Sequence, residues 1–219
     1  MTFYLADKPW EPEILGIKDG LSQAVVDEQG FSDKGNYKIF KDNFACLTPI
    51  ADTEILRLHF SLECVKMKQK AKLTDFLWFS PMSYSLISPK AEKVMSEFKL
   101  DAHKYFDATV NENEVRHKYK FMHMTRFELM NINFVNSEFV TGNKYDGYKK
   151  VDAKSIEDLD NLKDFYYTRK IVFRNMERTF DMFKTRLLPQ SIISQRLCDA
   201  FIDQGITGMK FKPIEIEFE

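Results

Sequence analysis

The sequence predicts an α+β fold in which helices pack on mixed or mainly antiparallel sheets, within one domain covering residues 1–219. Of the 219 residues, 44% are hydrophobic and 30% charged, which is the balance of a globular protein. Several segments alternate apolar and polar side chains with a period of two, which is typical of half-buried strands. Two other segments place a serine directly before a stretch with apolar residues on one helical face, which predicts capped helices.

The first predicted elements lie between residues 55 and 99. Alternation from Ile55 to Cys64 predicts a long strand, and the lysines that follow it are typical of a solvated hairpin end. The apolar segment 76–87 predicts a buried strand or loop. Ser88 and Pro89 then predict a helix that ends near Lys99, because the hydroxyl accepts from free amides and proline suits the first turn.

The middle of the chain predicts further strands. Residues 107–110 are expected to be extended, His117–Met124 alternates as a strand does, and a second strand is predicted from Phe127 to Phe139. Turn-forming residues predict an exposed loop over Thr141–Tyr148, which is also the best candidate for a linker. Two lobes, 1–140 and 151–219, are therefore an open alternative to one undivided domain.

The last third begins with an acidic helix or loop over Ser155–Phe165. The tail Met209–Phe218 alternates apolar with charged residues and predicts a half-buried strand. Pro213 within it favours an edge position or a bulge, because proline has no N–H for a ladder bond.

The end of the chain repeats the plan of its middle at an offset of 106 residues. Leu86-Ile87-Ser88 and Ile192-Ile193-Ser194 each open a helix, and each helix is followed by an extended tail. Gly205 is placed to end the second helix in the left-handed conformation. A duplicated strand-helix-strand unit and two independent units of the same kind both remain open.

No catalytic set emerges from the motifs. The chain has no glycine-rich phosphate loop, no nucleophile elbow and no H-E-x-x-H helix. His117 and His123 share a strand face but lie roughly 20 Å apart along it, too far for one metal. Cys198 shares a helix face with apolar residues, which favours a core thiol over a nucleophile. We therefore expect no enzyme activity, no metal and no cofactor.

The net charge of -1 provides no overall field that would attract nucleic acid or an anionic membrane. Three widely spaced cysteines, Cys46, Cys64 and Cys198, are typical of reduced thiols. The first residues lack the basic start and apolar run of a signal peptide. We therefore expect a cytoplasmic protein with neither a nucleic-acid nor a membrane partner.

Three stretches resemble a family of bacterial polymorphic-toxin immunity proteins. They are Leu86–Ser88 opening a helix, Tyr119–His123 with Ile132–Phe139, and the serine-capped helix and glycines of Ile192–Pro213. Together they cover roughly residues 70 to 215 and are similar to the group numbered as the eleventh immunity family, with the related forty-third. Asn133 departs from the pattern, since an acid is expected before the aromatic residue there.

The resemblance implies toxin neutralisation by binding, with a cognate toxin or effector as the partner and no active site. Because many secreted nuclease toxins are basic, an acidic patch would steer association. The expected partner-binding residues are Tyr145, Tyr148, Glu157, Asp158 and Asp160. Two other functions stay open: a small hydrolase or nuclease that uses dispersed residues such as His117 and His123, and an adaptor that loads an effector for secretion. The oligomeric state is also open.

Overall fold

The computed structural model describes residues 2–18, 22–26, 28–30, 37–38, 62–80, 85–124, 126–127, 129–174, 180–185 and 187–219. Within these ranges the chain is mostly β-structure with four helices, the longest of nine residues. The sheets are mixed, as predicted, but the helices are too few and short for a typical α+β fold, so the protein is mainly β. Across the same ranges, no helix has the length and apolarity that a membrane crossing requires.

The strands and helices are numbered here in chain order. The strands are β1 (Phe3–Asp7), β2 (Ala24–Val26), β3 (Leu62–Met67), β4 (Phe76–Ser80), β5 (Ser85–Ile87), β6 (His103–Glu112), β7 (Val115–Met124), β8 (Arg126–Phe127), β9 (Glu138–Asn143), β10 (Gly147–Val151), β11 (Tyr166–Phe173), β12 (Met182–Thr185), β13 (Ser191–Ser194) and β14 (Lys210–Phe218). The helices are α1 (Pro12–Leu15), α2 (Pro89–Met95), α3 (Ile156–Asp160) and α4 (Gln195–Asp203). Short 3₁₀ turns occur at Glu28–Gly30 and Leu129–Asn131.

The described strands form two β-structures. The first is a closed barrel with the order β2-β3-β6-β7-β5-β4, and its interior is filled by residues such as Phe79, Phe106 and Phe121. The second is an eight-stranded sheet with the order β10-β9-β11-β14-β1-β13-β12-β8. One core cluster lies against this sheet and includes Leu159 of α3, and a third cluster joins α2 and α4. The apolar alternation that predicted strands thus supplies the inner faces of both structures.

The two units of the sequence repeat occupy equivalent positions in these structures. The order β3-β6-β7-β5-β4 matches β11-β14-β1-β13-β12, with the same parallel and antiparallel steps. Val65 pairs with Val110 in the barrel, and Ile171 pairs with Ile216 in the sheet, each residue 106 positions further along. The N-terminal strand β1 occupies the place in the second unit that β7 has in the first.

This equivalence predicts that a circular permutant will fold. In the first unit β6 and β7 are joined by the turn of Asn113 and Glu114, which have φ values of 45° and 70°. In the second unit the matching strands, β14 and β1, are unconnected. In the permutant the chain begins at Val115, continues from Glu219 through about three linker residues to the original N-terminus, and ends at Glu114. The strands β14 and β1 are then joined by a turn, whereas β6 and β7 are no longer connected. We expect native-like circular dichroism and a Tm within about 10 °C of the parent.

A second permutant, opened between Ser88 and Pro89, provides the control. Its break separates α2 from the Ser88 cap, so we expect it to unfold at a markedly lower temperature. Equal losses of Tm in the two permutants would contradict the equivalence of β7 and β1.

One aspartate in each unit, at corresponding positions, connects a strand to the helix that follows. Ser88 donates its hydroxyl to Asp75 at 2.7 Å, and Ser194 donates to Asp181 at the same distance. Each serine also caps its own helix by accepting from a backbone N–H three residues later. The predicted helix starts at Ser88 and Ser194 are therefore confirmed, and each cap is held in place by an aspartate.

The same aspartates also accept hydrogen bonds from the other unit. Asp75 accepts from the N–H and the hydroxyl of Thr207, both at 2.9 Å, in the loop after α4. Asp181 accepts from the N–H of Lys99 at 3.1 Å, in the loop after α2, and from the Arg196 guanidinium. The contacts of Asp75 with Thr207 and of Asp181 with Lys99 form what we call the joint between the units. The joint is reciprocal, since each unit caps a loop of the other.

Several predicted elements differ from the structure. The segment 127–139 is not one strand, because β8 ends at Phe127 and a 3₁₀ turn precedes β9. Residues 141–148 belong to the β9–β10 hairpin rather than to a linker loop, and α2 ends at Met95 rather than near Lys99. Residues 55–61 of the first predicted strand lie outside the described residues.

The strand that contains Pro213, β14, lies inside the sheet between β1 and β11, but Pro213 itself is at a local edge. The pairing of β14 with β11 begins only at Glu215, whereas its pairing with β1 already includes Pro213 opposite Tyr4. The β11 side of Pro213 is therefore without a strand partner, and the missing N–H costs no ladder bond on that side.

Candidate interaction surface

The β9–β10 hairpin and the beginning of β11 present a cluster of exposed aromatic side chains. We call Tyr145, Tyr148, Phe165 and Tyr167 the aromatic surface; their side chains are 83%, 47%, 91% and 51% exposed. Single exposed apolar residues are common, but several large aromatics at one end of one sheet are not. This part of the described chain is therefore the strongest candidate for a binding site.

The centre of the aromatic surface is held by ring contacts. The Tyr148 and Tyr167 ring centroids lie 6.0 Å apart at 88°, the edge-to-face geometry that aromatic pairs prefer. The Arg169 guanidinium lies 5.0 Å from the Tyr148 ring centroid and also 3.6 Å from the Glu138 carboxylate. These contacts span β10, β11 and β9, so the rings are oriented by the sheet before any partner arrives.

The tip of the hairpin is ordered by its own side-chain bonds. Asn143 Oδ1 accepts from the N–H groups of Tyr145 and Asp146 at 2.8 and 3.1 Å, and Asn143 Nδ2 donates to the Asp146 carboxylate. This arrangement is how an asparagine stabilises a tight turn. Lys144 places its ammonium 4.9 Å from the Tyr145 ring centroid, so a cation accompanies the most prominent tyrosine.

The acidic residues predicted to bind a partner lie on α3. Asp158 forms a capping box with Ser155, so its carboxylate is occupied by backbone N–H groups at the start of the helix. A hydrogen bond with Ser155 lowers the pKa of Glu157. Burial, and secondarily the charge of Asp160, raises the pKa of Tyr166. These acids therefore support local structure while remaining exposed.

The helix and the central tyrosines occupy opposite faces of the sheet. Phe139 pairs with Val151 and packs in the same core cluster as Leu159 of α3, which defines the helix side. Tyr148 is three residues before Val151 and therefore faces away from the helix, as does Tyr167, which pairs next to Phe139. The five predicted residues do not form one continuous patch, and their part in binding stays a prediction.

Three residues of the site were not singled out from the sequence: Phe165, Tyr167 and Arg169. The run of aromatics at 165–167 alternates between faces once it is assigned to a strand, and that alternation could have placed Tyr167 outside. The contact of Arg169 with Tyr148 depends on the register between β9, β10 and β11 and has no local signal.

The residues considered for catalysis lie elsewhere. Cys198 is buried in the cluster between α2 and α4, and burial, aided by the charge of Asp199, raises the pKa of its thiol. His117 lies 3.3 Å from Glu112 near the end of the β6–β7 hairpin, and His123 is buried near the other end of β7. Over the described ranges, no three His, Cys, Asp or Glu side chains are grouped so that they could hold a metal ion.

The fold and the surface define a mainly β protein with an exposed, preorganised aromatic site. The chain matches no family model and no curated protein.

Proposed function

We propose that this protein is an immunity protein that binds a cognate antibacterial toxin and neutralises it by occlusion, without catalysis of its own. The observation that carries the proposal is the aromatic surface, and the resemblance to the immunity families names the kind of partner. A cytoplasmic location accompanies this proposal, since a producing cell needs its immunity protein where the toxin would act.

The composition of the aromatic surface supports protein binding. Tyrosine and arginine are the residues in which interface binding energy most often concentrates. Tyr148 is held by Tyr167 and Arg169 in the free protein, so little side-chain entropy is lost when a partner covers it. A neutralising interface buries about 1,600 Å² in total, far more than these rings provide, so surrounding residues of the hairpin would contribute as a rim.

The test is co-expression of this protein with the toxin domain encoded beside it, scored by survival of the host and by co-purification. We expect the double variant Tyr148→Ala/Tyr167→Ala to bind at least about 100-fold more weakly, since two central aromatics each contribute on the order of 2 kcal/mol. The double variant should fail to protect the host from the toxin at expression levels where the wild-type protein protects it.

The matched control is Trp10→Ala. Trp10 is 59% exposed and has Lys8 over its ring at 4.9 Å, but it lies between β1 and α1, outside the aromatic surface. This variant should keep full protection, and unchanged Tm values for both variants would exclude unfolding. Equal protection by all three proteins would remove the aromatic surface from the proposal.

The same experiment separates the other two functions. An adaptor would bind the effector without lowering its toxicity, and a hydrolase or nuclease would release product in the absence of any toxin. If no effector of the locus is bound or neutralised, the proposed function fails.

A further inference from the structure

The strand β10 ends the eight-stranded sheet on the side of the aromatic surface. Within the described residues it pairs with β9 alone, and Gly147 to Lys150 are exposed. In an antiparallel ladder, alternate residues direct their N–H and C=O groups away from the existing partner. The outer side of β10 therefore presents a row of backbone donors and acceptors to solvent, which another strand can pair with.

Two adjacent lysines determine which strand this edge accepts. Lys149 and Lys150 are exposed, and neither forms a salt bridge with any residue that the structure describes. Alternation places Lys149 on the face that carries α3 and Lys150 on the face of Tyr148. Each face of the sheet therefore carries one lysine of the β10 edge strand.

We propose that β10 accepts an extended, acidic segment of a partner protein as an additional antiparallel strand of the sheet. The inference deepens the proposed function, because the partner is the toxin that the aromatic surface contacts. Backbone bonds to β10 supply affinity, while side chains supply selection. The segment carries two consecutive acids opposite Lys150 and Lys149, followed by an apolar or aromatic residue opposite Tyr148.

A second copy of this chain fits the edge poorly. Antiparallel pairing over the full length of β10 places Lys149 directly opposite its own copy, and parallel pairing in register does so for both lysines. Like charges directly opposite each other destabilise a strand pair. Opposite charges in the same positions stabilise the pair. The edge of β10 therefore disfavours pairing with a second copy of β10 and favours pairing with an acidic strand.

The inference also revises the expected charge complementarity. The acids of α3 that suggested a basic partner lie across the sheet from Tyr148 and Tyr167, whereas Lys149 and Lys150 lie on the edge strand beside these tyrosines. The segment of the toxin that reaches β10 is therefore acidic, whatever the net charge of the rest of the toxin.

The test uses two nine-residue peptides added to the whole protein: Thr-Val-Thr-Glu-Glu-Phe-Thr-Val-Thr and the same peptide with both Glu replaced by Lys. The readout is amide hydrogen exchange in β10, with peptide binding followed by NMR titration. We expect the acidic peptide to slow exchange in β10 and to bind at least about 10-fold more tightly than the lysine peptide. In Lys149→Glu/Lys150→Glu the preference should reverse.

A version of the acidic peptide with N-methylated backbone amides is the control for strand pairing. It keeps the charges but cannot complete the ladder, so it should leave exchange in β10 unchanged. Slowed exchange that is the same for the acidic and lysine peptides, or no slowing at millimolar peptide, would overturn the inference.

Failure of the inference and failure of the proposed function give different results. If the toxin is neutralised while β10 exchanges as in the free protein, the strand pairing is wrong and the proposed function stands. If the acidic peptide binds β10 but no effector of the locus is neutralised, the edge is real and its assignment to a toxin is wrong.

Discussion

Asp181→Ala is expected to lower the free energy of unfolding by about 3 kcal/mol, roughly twice the loss expected for Asp75→Ala. The Asp181 side chain is buried and accepts from Ser194, Arg196 and the backbone of Lys99. Its removal leaves the Ser194 hydroxyl and the Lys99 N–H without their acceptor inside the joint between the units, whereas the Arg196 side chain is 65% exposed and can bind water instead. Asp75 makes the corresponding bonds from a half-buried position, so water can replace more of what is lost.

Urea denaturation of the two variants, at several pH values, measures this difference. Burial alone would raise the pKa of Asp181, but the hydrogen bonds from Arg196, Ser194 and Lys99 outweigh it and hold the pKa below its usual range. A carboxylate with a lowered folded pKa stabilises the protein above its unfolded pKa of about 3.9 and loses that contribution as the pH falls. The gap between wild type and Asp181→Ala should therefore be full near pH 7 and shrink below about pH 4.

Equal losses for the two aspartates would contradict this account, as would a gap that is unchanged at pH 3. The variant Asp181→Asn separates charge from shape. It keeps one acceptor for Ser194 but loses the charge that Arg196 pairs with, so it should fall between wild type and Asp181→Ala.

Gly208→Ala is expected to destabilise the protein by about 3 kcal/mol, because two penalties coincide at this position. Gly208 has φ +87°, a conformation that side chains strongly disfavour. A Cβ there would lie 2.2 Å from the backbone oxygen of Phe76, so the strand itself would have to move. The contact lies at the joint, where the Phe76 N–H donates to Thr207 O and the Trp78 indole donates to Gly208 O.

The matched control is Gly147→Ala. Gly147 has nearly the same φ, +83°, but an added Cβ meets nothing within 4 Å. Only the conformational penalty applies there, so we expect a loss of about 1 kcal/mol. Thermal unfolding followed by circular dichroism measures both variants, and Trp78 fluorescence reports on the joint itself. Similar losses in the two variants would show that the close approach at Phe76 relaxes at little cost.

Much of the local structure could be predicted because its causes lie within a few residues. The serine caps of α2 and α4 were visible from Ser88-Pro89 and Ile192-Ile193-Ser194, and both are in place. The strand β7 follows the alternation that predicted it, and so does β14. The left-handed end of α4 at Gly205 is also confirmed, with φ 58°.

The aromatic surface could be predicted only in part. Turn-forming residues indicated that Tyr145 and Tyr148 would be exposed, and both are. The sequence could not show that Tyr167 meets Tyr148 or that α3 covers the opposite face. A one-residue change of register would exchange those faces, and long-range pairing, not local preference, sets the register.

The sequence by itself determined where α2 and α4 begin, that β7 and β14 alternate between two faces and that two similar units lie 106 residues apart. These properties depend on residues two to four positions apart, where side-chain geometry and capping act directly. Only the tertiary structure decided that β1 completes the second unit, that β14 lies inside a sheet and that each aspartate caps a loop of the other unit. Those arrangements depend on burial and on backbone bonds between residues far apart in the chain, and many strand orders are compatible with the same local pattern.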